Sequence, residues 1–580
     1  MRCLLLHRED NPLRPACLSR HWDRVIDLGV SSPPTYEAWG KALGCRVEPC
    51  PKLDTDDFAK LEMVFRCGLG VLVDQYGLDW WDLLSIHWLD QFERGILLQK
   101  VLETFRADDE VFVSCSGAQS HLLKSLIPGT IQSLDLGDGP RFGSRFRKLS
   151  RFTLRQSLAI LADKYDGSYR LRRLTARRRE ADGTPVVLLP SAYENATQMA
   201  FYHAASVPDL RFLLVAVRKS GWGGAAPPNV SKAHLASYAR PGCGKGELGE
   251  LLLSWKRLRS LLSEQPEIGK LLASTRFDSL PVRLQEGLSV RDSWLNVFAK
   301  ENISSVLTAD ERNPYTRIPL LLAQKRGIPT VACHHGAMDG RYRYGDICAN
   351  RFLAKGQMEL DYLVNTGSVS EEKVFVAAPL RTSAAPLKSG AKREIVFFSE
   401  PYEALGCRAQ DVFAELIPPL ISLAAEHGCH LMIKLHPFET LRERKKMVRR
   451  VIQPSQRDLL RFMAGPISKE LMQGALFCMT VSSTAAVDSA MEGVPSFLCT
   501  WLDRSGYGYS DQFIKFGVAE PLGCAEDIQN ISTLLKRPRT AKLSDLWQSA
   551  EPKVLRELLL ATPPELPATE ALVPAERLWA

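Results

Sequence analysis

Residues 303–336 read ISSVLTADERNPYTRIPLLLAQKRGIPTVACHHG, and their pattern decides the fold class. An apolar run gives way to polar residues at Asp310 and Glu311. Asn313 then stands before Pro314, a helix cap followed by proline at the first helical position, where the missing N–H has no intrahelical partner to lose. Gly327 closes that helix, and a second apolar run ends at His334, His335 and Gly336. The stretch predicts strand, helix, strand with short connections, as in parallel strands that carry helices on the faces of their sheet.

Outward from this block the alternation recurs. TPVVLLPSAYE (184–194), NATQMAFYHAASV (195–207) and RFLLVAV (211–217) read as strand, helix, strand, followed by the loop GWGGAAPP and a mostly helical stretch near 245–275. Towards the C-terminus, REIVFFSE, AQDVFAELIPPLISLAAEHG and HLMIKLHP repeat the pattern. A basic helix, ETLRERKKMVRRVI, comes next, then LFCMTVSS, TAAVDSAMEG and VPSFLCT. DRVIDLGV and DEVFVSC predict strands within the first 135 residues, and DWWDLLSIHWLDQFERGILLQKVLETF predicts helix. The expectation is an α/β chain of two Rossmann-like domains facing across a cleft. An enlarged N-terminal domain covers 1–375, a C-terminal domain 385–550, and a proline-containing tail 551–580.

The bulk properties are those of an ordinary folded chain: 580 residues, 45% hydrophobic, 24% charged. No stretch approaches the ~18–20 apolar residues of a membrane span, and MRCLLLHREDNPLRP falls short of a signal-peptide core. Fourteen cysteines are scattered, the closest two being Cys45 and Cys50. That spacing predicts free thiols in a reducing cytoplasm, with neither zinc nor a disulfide framework. The net charge of +8 is concentrated: residues 141–180 hold thirteen Lys/Arg against three Asp/Glu. Phe142, Phe146, Leu149 and Phe152 recur there at helical spacing, as in a basic amphipathic helix on an anionic membrane surface or a solvated helix packed on its own domain. No nucleic-acid motif accompanies the charge, so a nucleic-acid partner is not expected.

Ligands of parallel α/β sheets bind at the carboxyl ends of the strands. The residues expected there are Tyr193 and Glu194, Asp310 and Glu311, His334 and His335, Glu400, His436, and Ser482, Ser483 and Thr484. Ser482–Thr484 stand where a strand meets a helix, whose first N–H groups lack partners and carry about half a positive charge. A helix cap or a phosphate seat would both use such residues. Lys434 shares a strand face with His436, and Asp488 lies one turn into the helix, placed to accept from ribose hydroxyls. Trp80 and Trp81 read as packing residues rather than a sugar platform. Glu311 and Arg312 read as a surface pair.

KLHP at 434–437, followed by SSTAAVDSAMEGVP at 482–495, resembles the donor-binding half of GT-B-fold glycosyltransferases of bacterial surface and capsular polysaccharide synthesis. The similar group includes sialyl- and Kdo-type transferases and teichoic-acid glycerophosphotransferases. IPTVACHHG and the segment from Tyr344 to Arg381 are similar to the stretch that crosses between their domains. The resemblance covers about 290–520. It implies that His436 contacts a donor phosphate, that Ser482, Ser483 and Thr484 hold it, and that Asp488 stands where relatives carry a ribose-binding glutamate. It also implies that His335, or else Asp310 or Glu194, is the general base. The implied reaction is an inverting transfer from a nucleotide-sugar to a growing or lipid-linked polysaccharide, with no metal and no cofactor, by a cytoplasmic enzyme peripheral to the inner membrane. Three rivals stay open: a polyol-phosphate transferase, a sugar-nucleotide epimerase, and a non-catalytic polysaccharide-assembly subunit.

Overall fold

The computed structural model describes residues 1–7, 10–29, 33–106, 108–114, 131–134, 183–239, 245–265, 268–275, 277–336, 338, 342, 347–380, 394–403, 407–465, 467–503, 507–537 and 540–561. The basic segment 141–180 lies outside the described residues. Among the described residues eighteen strands pair in parallel, in three sheets.

The first sheet holds β1 (Arg2–Leu6), β2 (Arg24–Asp27), β3 (Val47–Pro49), β4 (Glu110–Ser114) and β5 (Ile131–Leu134), ordered β3-β2-β1-β4-β5. The second holds β6 (Val186–Ser191), β7 (Phe212–Ala216), β8 (Val230–His234), β9 (Ile303–Thr308), β10 (Thr330–Cys333), β11 (Arg351–Ala354) and β12 (Val374–Val376). Its order is β12-β11-β10-β9-β6-β7-β8. The third holds β13 (Glu394–Phe398), β14 (His430–Lys434), β15 (Leu460–Met463), β16 (Ala475–Thr480), β17 (Ser496–Cys499) and β18 (Glu520–Leu522), ordered β15-β14-β13-β16-β17-β18. Numbered within itself, each sheet runs 3-2-1-4-5 and onward, the doubly wound Rossmann order. The chain is thus mixed α/β with parallel sheets, consistent with the Rossmann-like domains expected, and its described residues form three such sheets.

Two compact units share these sheets. One comprises residues 1–55, 93–145 and 383–546, with the first and third sheets; the other comprises 56–92, 146–382 and 547–580, with the second. The first sheet therefore groups with the C-terminal sheet. Within that unit Arg408, which precedes the helix Ala409–Glu426, donates to Asp27 Oδ1 at 2.6 Å and to the carbonyl of His7 at 2.9 Å, over the ring of Trp39. His7 and Asp27 stand at the carboxyl ends of β1 and β2, so an arginine of this chain occupies that edge.

In the seven-stranded sheet the inner strand β6 is buried along its whole length, which explains a continuous apolar run in place of alternation. The helix Pro314–Gln324 forms as read, with the Asn313 side chain accepting from the Tyr315 N–H at 3.0 Å and Gly327 at φ +67° beyond it. Pro319 sits inside this helix and cannot donate to the carbonyl of Tyr315 one turn back. The indole N–H of buried Trp294 donates to that carbonyl instead, at 3.0 Å, so the helix continues through the proline. Trp80 and Trp81 are fully buried as expected. A Cβ on Gly287 would lie 2.2 Å from the Trp80 ring, and one on Gly68 2.3 Å from that of Trp81. Glu311, expected at the surface with Arg312, is instead buried and accepts the N–H groups of Cys348 and Ala349, because the turn before β11 needs those donors satisfied. Of the tail, Pro552–Leu560 is helix, and Leu555 and Leu559 join the core of this sheet. No helix among the described residues is long and apolar enough to cross a membrane, and the described cysteines are free thiols.

Candidate functional site

In the six-stranded sheet the chain leaves β13 towards β14 and β15, then returns to β13's other side as β16. Ligands of doubly wound sheets seat at such a reversal. Glu400 follows β13, and Ser482, Ser483 and Thr484 follow β16. Glu400 is buried and takes four hydrogen bonds from the neighbouring strand end. Its Oε1 accepts from the Thr480 hydroxyl at 2.7 Å and from the N–H groups of Val481 at 3.0 Å and Ser482 at 2.8 Å; its Oε2 accepts from the Ser482 hydroxyl at 2.8 Å. Burial pushes the Glu400 carboxyl up, and these donors pull it back.

The expected phosphate seat is therefore divided. Ser482 spends both its hydrogens on Glu400, so it shapes the turn and leaves only oxygen lone pairs for a ligand. Ser483 Oγ accepts the Ala485 N–H at 3.3 Å, and its hydroxyl hydrogen stays available. Thr484 caps the helix Ala485–Met491 without a side-chain bond of its own. That helix has only seven residues, and the N–H groups of Ala486 and Val487 already bond to Ser483 and Thr484 carbonyls. The Ser483 and Thr484 hydroxyls remain the donors of the turn. Asp488 is exposed in the first helical turn.

His436 ends the neighbouring strand. Its Nδ1 accepts the Phe438 N–H at 3.2 Å. Burial, and after it the Lys434 ammonium, push the imidazole below its ordinary value. A neutral ring whose Nδ1 is an acceptor carries its hydrogen on Nε2, so His436 presents an N–H donor. Lys434 is buried, its ammonium donating to the Leu435 carbonyl at 2.9 Å, and burial lowers its pKa. Two residues that the sequence reading did not single out hold this turn. Glu439 accepts the His436 N–H at 2.8 Å, the Ser399 hydroxyl at 2.7 Å and Arg444 Nε at 2.6 Å. Arg444, itself buried, also clamps Glu403 through two bonds. The spacing of Glu439, three residues past His436, is that of a capping box and was the available signal.

In the seven-stranded sheet the reversal falls between β6 and β9, with β10 beside β9. The three expected base candidates stand at the ends of these neighbouring strands. Glu194 is exposed, at the start of the helix Glu194–Ser206 after β6. Asp310 is buried after β9, its N–H donating to the Thr308 hydroxyl at 3.2 Å. His335 follows β10, partly exposed, with Nδ1 2.9 Å from the Ala309 carbonyl oxygen. A carbonyl only accepts, so Nδ1 carries a hydrogen, and in the neutral ring Nε2 keeps the lone pair. His334 stacks on His335 with ring centres 4.8 Å apart and accepts the Gly336 N–H at 3.1 Å. The two strand-end histidines thus have opposite ring chemistry: His335 accepts at Nε2, and His436 donates there.

No protein-family model and no curated protein matches the chain. Solved structures that it is similar to include UDP-GlcNAc 2-epimerase from Neisseria meningitidis bound to UDP-GlcNAc, at 11% identity over 65% of this chain and 100% of that one, TM-score 0.38. UDP-GlcNAc 2-epimerase from Methanocaldococcus jannaschii aligns at 9% identity over 65% and 99%, TM-score 0.36. A calicheamicin glycosyltransferase aligns at 12% identity over 67% and 95%, TM-score 0.32. Likenesses at this level fix no activity for the chain.

Proposed function

We propose that the chain is a glycosyltransferase that moves a sugar from a nucleotide-sugar to a growing or lipid-linked surface polysaccharide, with inversion and without a metal. The observation that carries the reading is the opposite bonding of the two Nδ1 atoms, His335 Nδ1 facing the Ala309 carbonyl and His436 Nδ1 accepting the Phe438 N–H. A base for an acceptor hydroxyl needs an imidazole nitrogen with a free lone pair, which His335 Nε2 offers. A departing nucleoside phosphate needs N–H and O–H donors fixed in place before charge develops. The third sheet offers His436 Nε2–H and the Ser483 and Thr484 hydroxyls. Glu400 and Glu439 hold these donors by bonding the backbone of their turns. Lys434 contributes positive charge beneath His436, and Asp488 is the ribose acceptor. Asp310, after β9, and Glu194, after β6, are the alternative bases. The resemblance of KLHP and SSTAAVDSAMEGVP supports the same roles.

The test is thermal stability of the purified chain against CMP, CDP, UDP, GDP and their sugar conjugates. A ligand at 100 times its dissociation constant adds roughly 2.7 kcal/mol to a fold that alone binds it. The expected result is an upward shift with one base, lost in His436→Ala. No shift with any nucleotide in a folded sample overturns the proposal.

A further inference from the structure

The turn that carries His436 continues into the helix Leu441–Val451, whose sequence LRERKKMVRRV is far more basic than its neighbours. Its faces divide cleanly. Arg444 and Val448 are buried, with Met447 and Val451 packed partly against the core that includes the helix Ala409–Glu426. Arg442, Lys446, Arg449 and Arg450 are exposed. At 100° per residue these four lie within about a quarter of the helix circumference, opposite the buried side. Among the described residues, the ion pairs of this helix are those of Arg444 with Glu403 and Glu439. Among the described residues the four exposed cations have no carboxylate partner, and Glu443 is the one exposed acid on the helix. Burying Val448 against the core accounts for the helix but not for four unpaired cations on its far side.

At the head of the same helix stands Phe438, 79% exposed, the most exposed large apolar side chain among the described residues, with Leu441 at 38% beside it. Phe438 touches the edge of His436, with ring centres 4.9 Å apart, and has no core to enter. A soluble acidic polymer is served by cations alone. Cations with an aromatic side chain at their margin suit a surface that is anionic outside and apolar just beneath.

We propose that Phe438 and the exposed face formed by Arg442, Lys446, Arg449 and Arg450 dock the chain on a membrane surface of anionic lipid. The cations meet the headgroups and Phe438 enters the interface. The surface is argued from its own residues and stands whether or not a nucleotide binds; a lipid-linked acceptor would give it a use. It is separate from the basic segment 141–180.

The experiment is co-sedimentation of the full chain with phosphatidylglycerol vesicles and with phosphatidylcholine vesicles. It compares wild type, the variant carrying Lys446→Gln, Arg449→Gln and Arg450→Gln, and Phe438→Ser. Each cation near an anionic leaflet tightens partitioning about fivefold, so removing three is expected to weaken it roughly a hundredfold. Loss of the Phe438 ring is expected to weaken it about tenfold. Wild type should bind phosphatidylglycerol and not phosphatidylcholine. Failure of wild type to bind either vesicle overturns the proposal. So does unchanged binding by the triple variant, which would place the contact elsewhere, and so does binding to hyaluronan but not to vesicles. Melting temperature checks that the triple variant is folded. Its nucleotide-induced shift, measured in parallel without lipid, reports on the proposed activity independently.

Discussion

Replacing Glu400 separates a structural carboxylate from a catalytic one. Glu400→Ala removes the acceptor of four hydrogen bonds and leaves their donors in a buried turn. The donors do not suffer equally. The Thr480 hydroxyl can turn towards the Phe398 carbonyl, 3.4 Å away, and Ser482 is partly exposed and reaches water. Val481 is 4% exposed, and its N–H has no second acceptor. An unmet buried donor costs about 1–3 kcal/mol. With the partial recovery by Thr480 and Ser482, Glu400→Ala should open the turn by about 3 kcal/mol. Glu400→Gln should cost under about 1 kcal/mol: its oxygen keeps the Oε1 bonds, its amide faces a Ser482 hydroxyl able to accept, and the buried charge is gone. Hydrogen exchange of a peptide spanning 476–484, read by mass spectrometry, follows the Val481 and Ser482 amides. A cost of about 3 kcal/mol appears as exchange faster by about two orders of magnitude in the Ala variant, with near-native protection in the Gln variant. Equal exchange in the two variants, or native protection in the Ala variant, would refute the reasoning.

Other consequences follow from single contacts. Trp294→Phe should destabilise the seven-stranded unit by about 1–3 kcal/mol, because the Tyr315 carbonyl released by Pro319 loses its donor; an unchanged urea midpoint would show that the helix does not need it. Buried His203 is pushed down to about 3 by desolvation, so the folded chain keeps it neutral while the unfolded chain takes a proton below pH 6.5. Its contribution is whole above pH 6.5 and is lost progressively as pH falls towards 3. Between pH 7 and pH 5 wild type should lose about 2 kcal/mol more than His203→Leu, and equal losses in chemical denaturation would contradict that sign.

How much of this is legible in the sequence depends on range. The block 303–336 announces itself because a cap, a helical proline and a closing glycine fall within fifteen residues of one another, and each acts on its own backbone. The same holds for His335, His436 and Ser482–Thr484, which end apolar runs and do stand at the carboxyl edges of two sheets. Glu400 ends such a run too, but its bond to a turn eighty residues on depends on β13 and β16 becoming neighbours, which local pattern does not state. The grouping of the first sheet with the third likewise rests on contacts such as Arg408 with Asp27, 381 residues apart. Glu311 does pair with Arg312, at 3.6 Å, but is buried rather than at the surface for the same reason: the amides it satisfies belong to the approach to β11. Glu439 is the exception, a local device within reach of the sequence.

The proposed roles of His335 and His436 depend on which ring nitrogen of each carries the hydrogen. Long-range ¹⁵N–¹H spectra of the histidine-labelled chain, assigned with His335→Gln and His436→Gln, report this directly. The prediction is hydrogen on Nδ1 of His335 and on Nε2 of His436 at neutral pH, with the His436 Nε2 resonance moving when the stabilising nucleotide is added. Hydrogen on Nδ1 of His436, or on Nε2 of His335, would contradict the roles given to both.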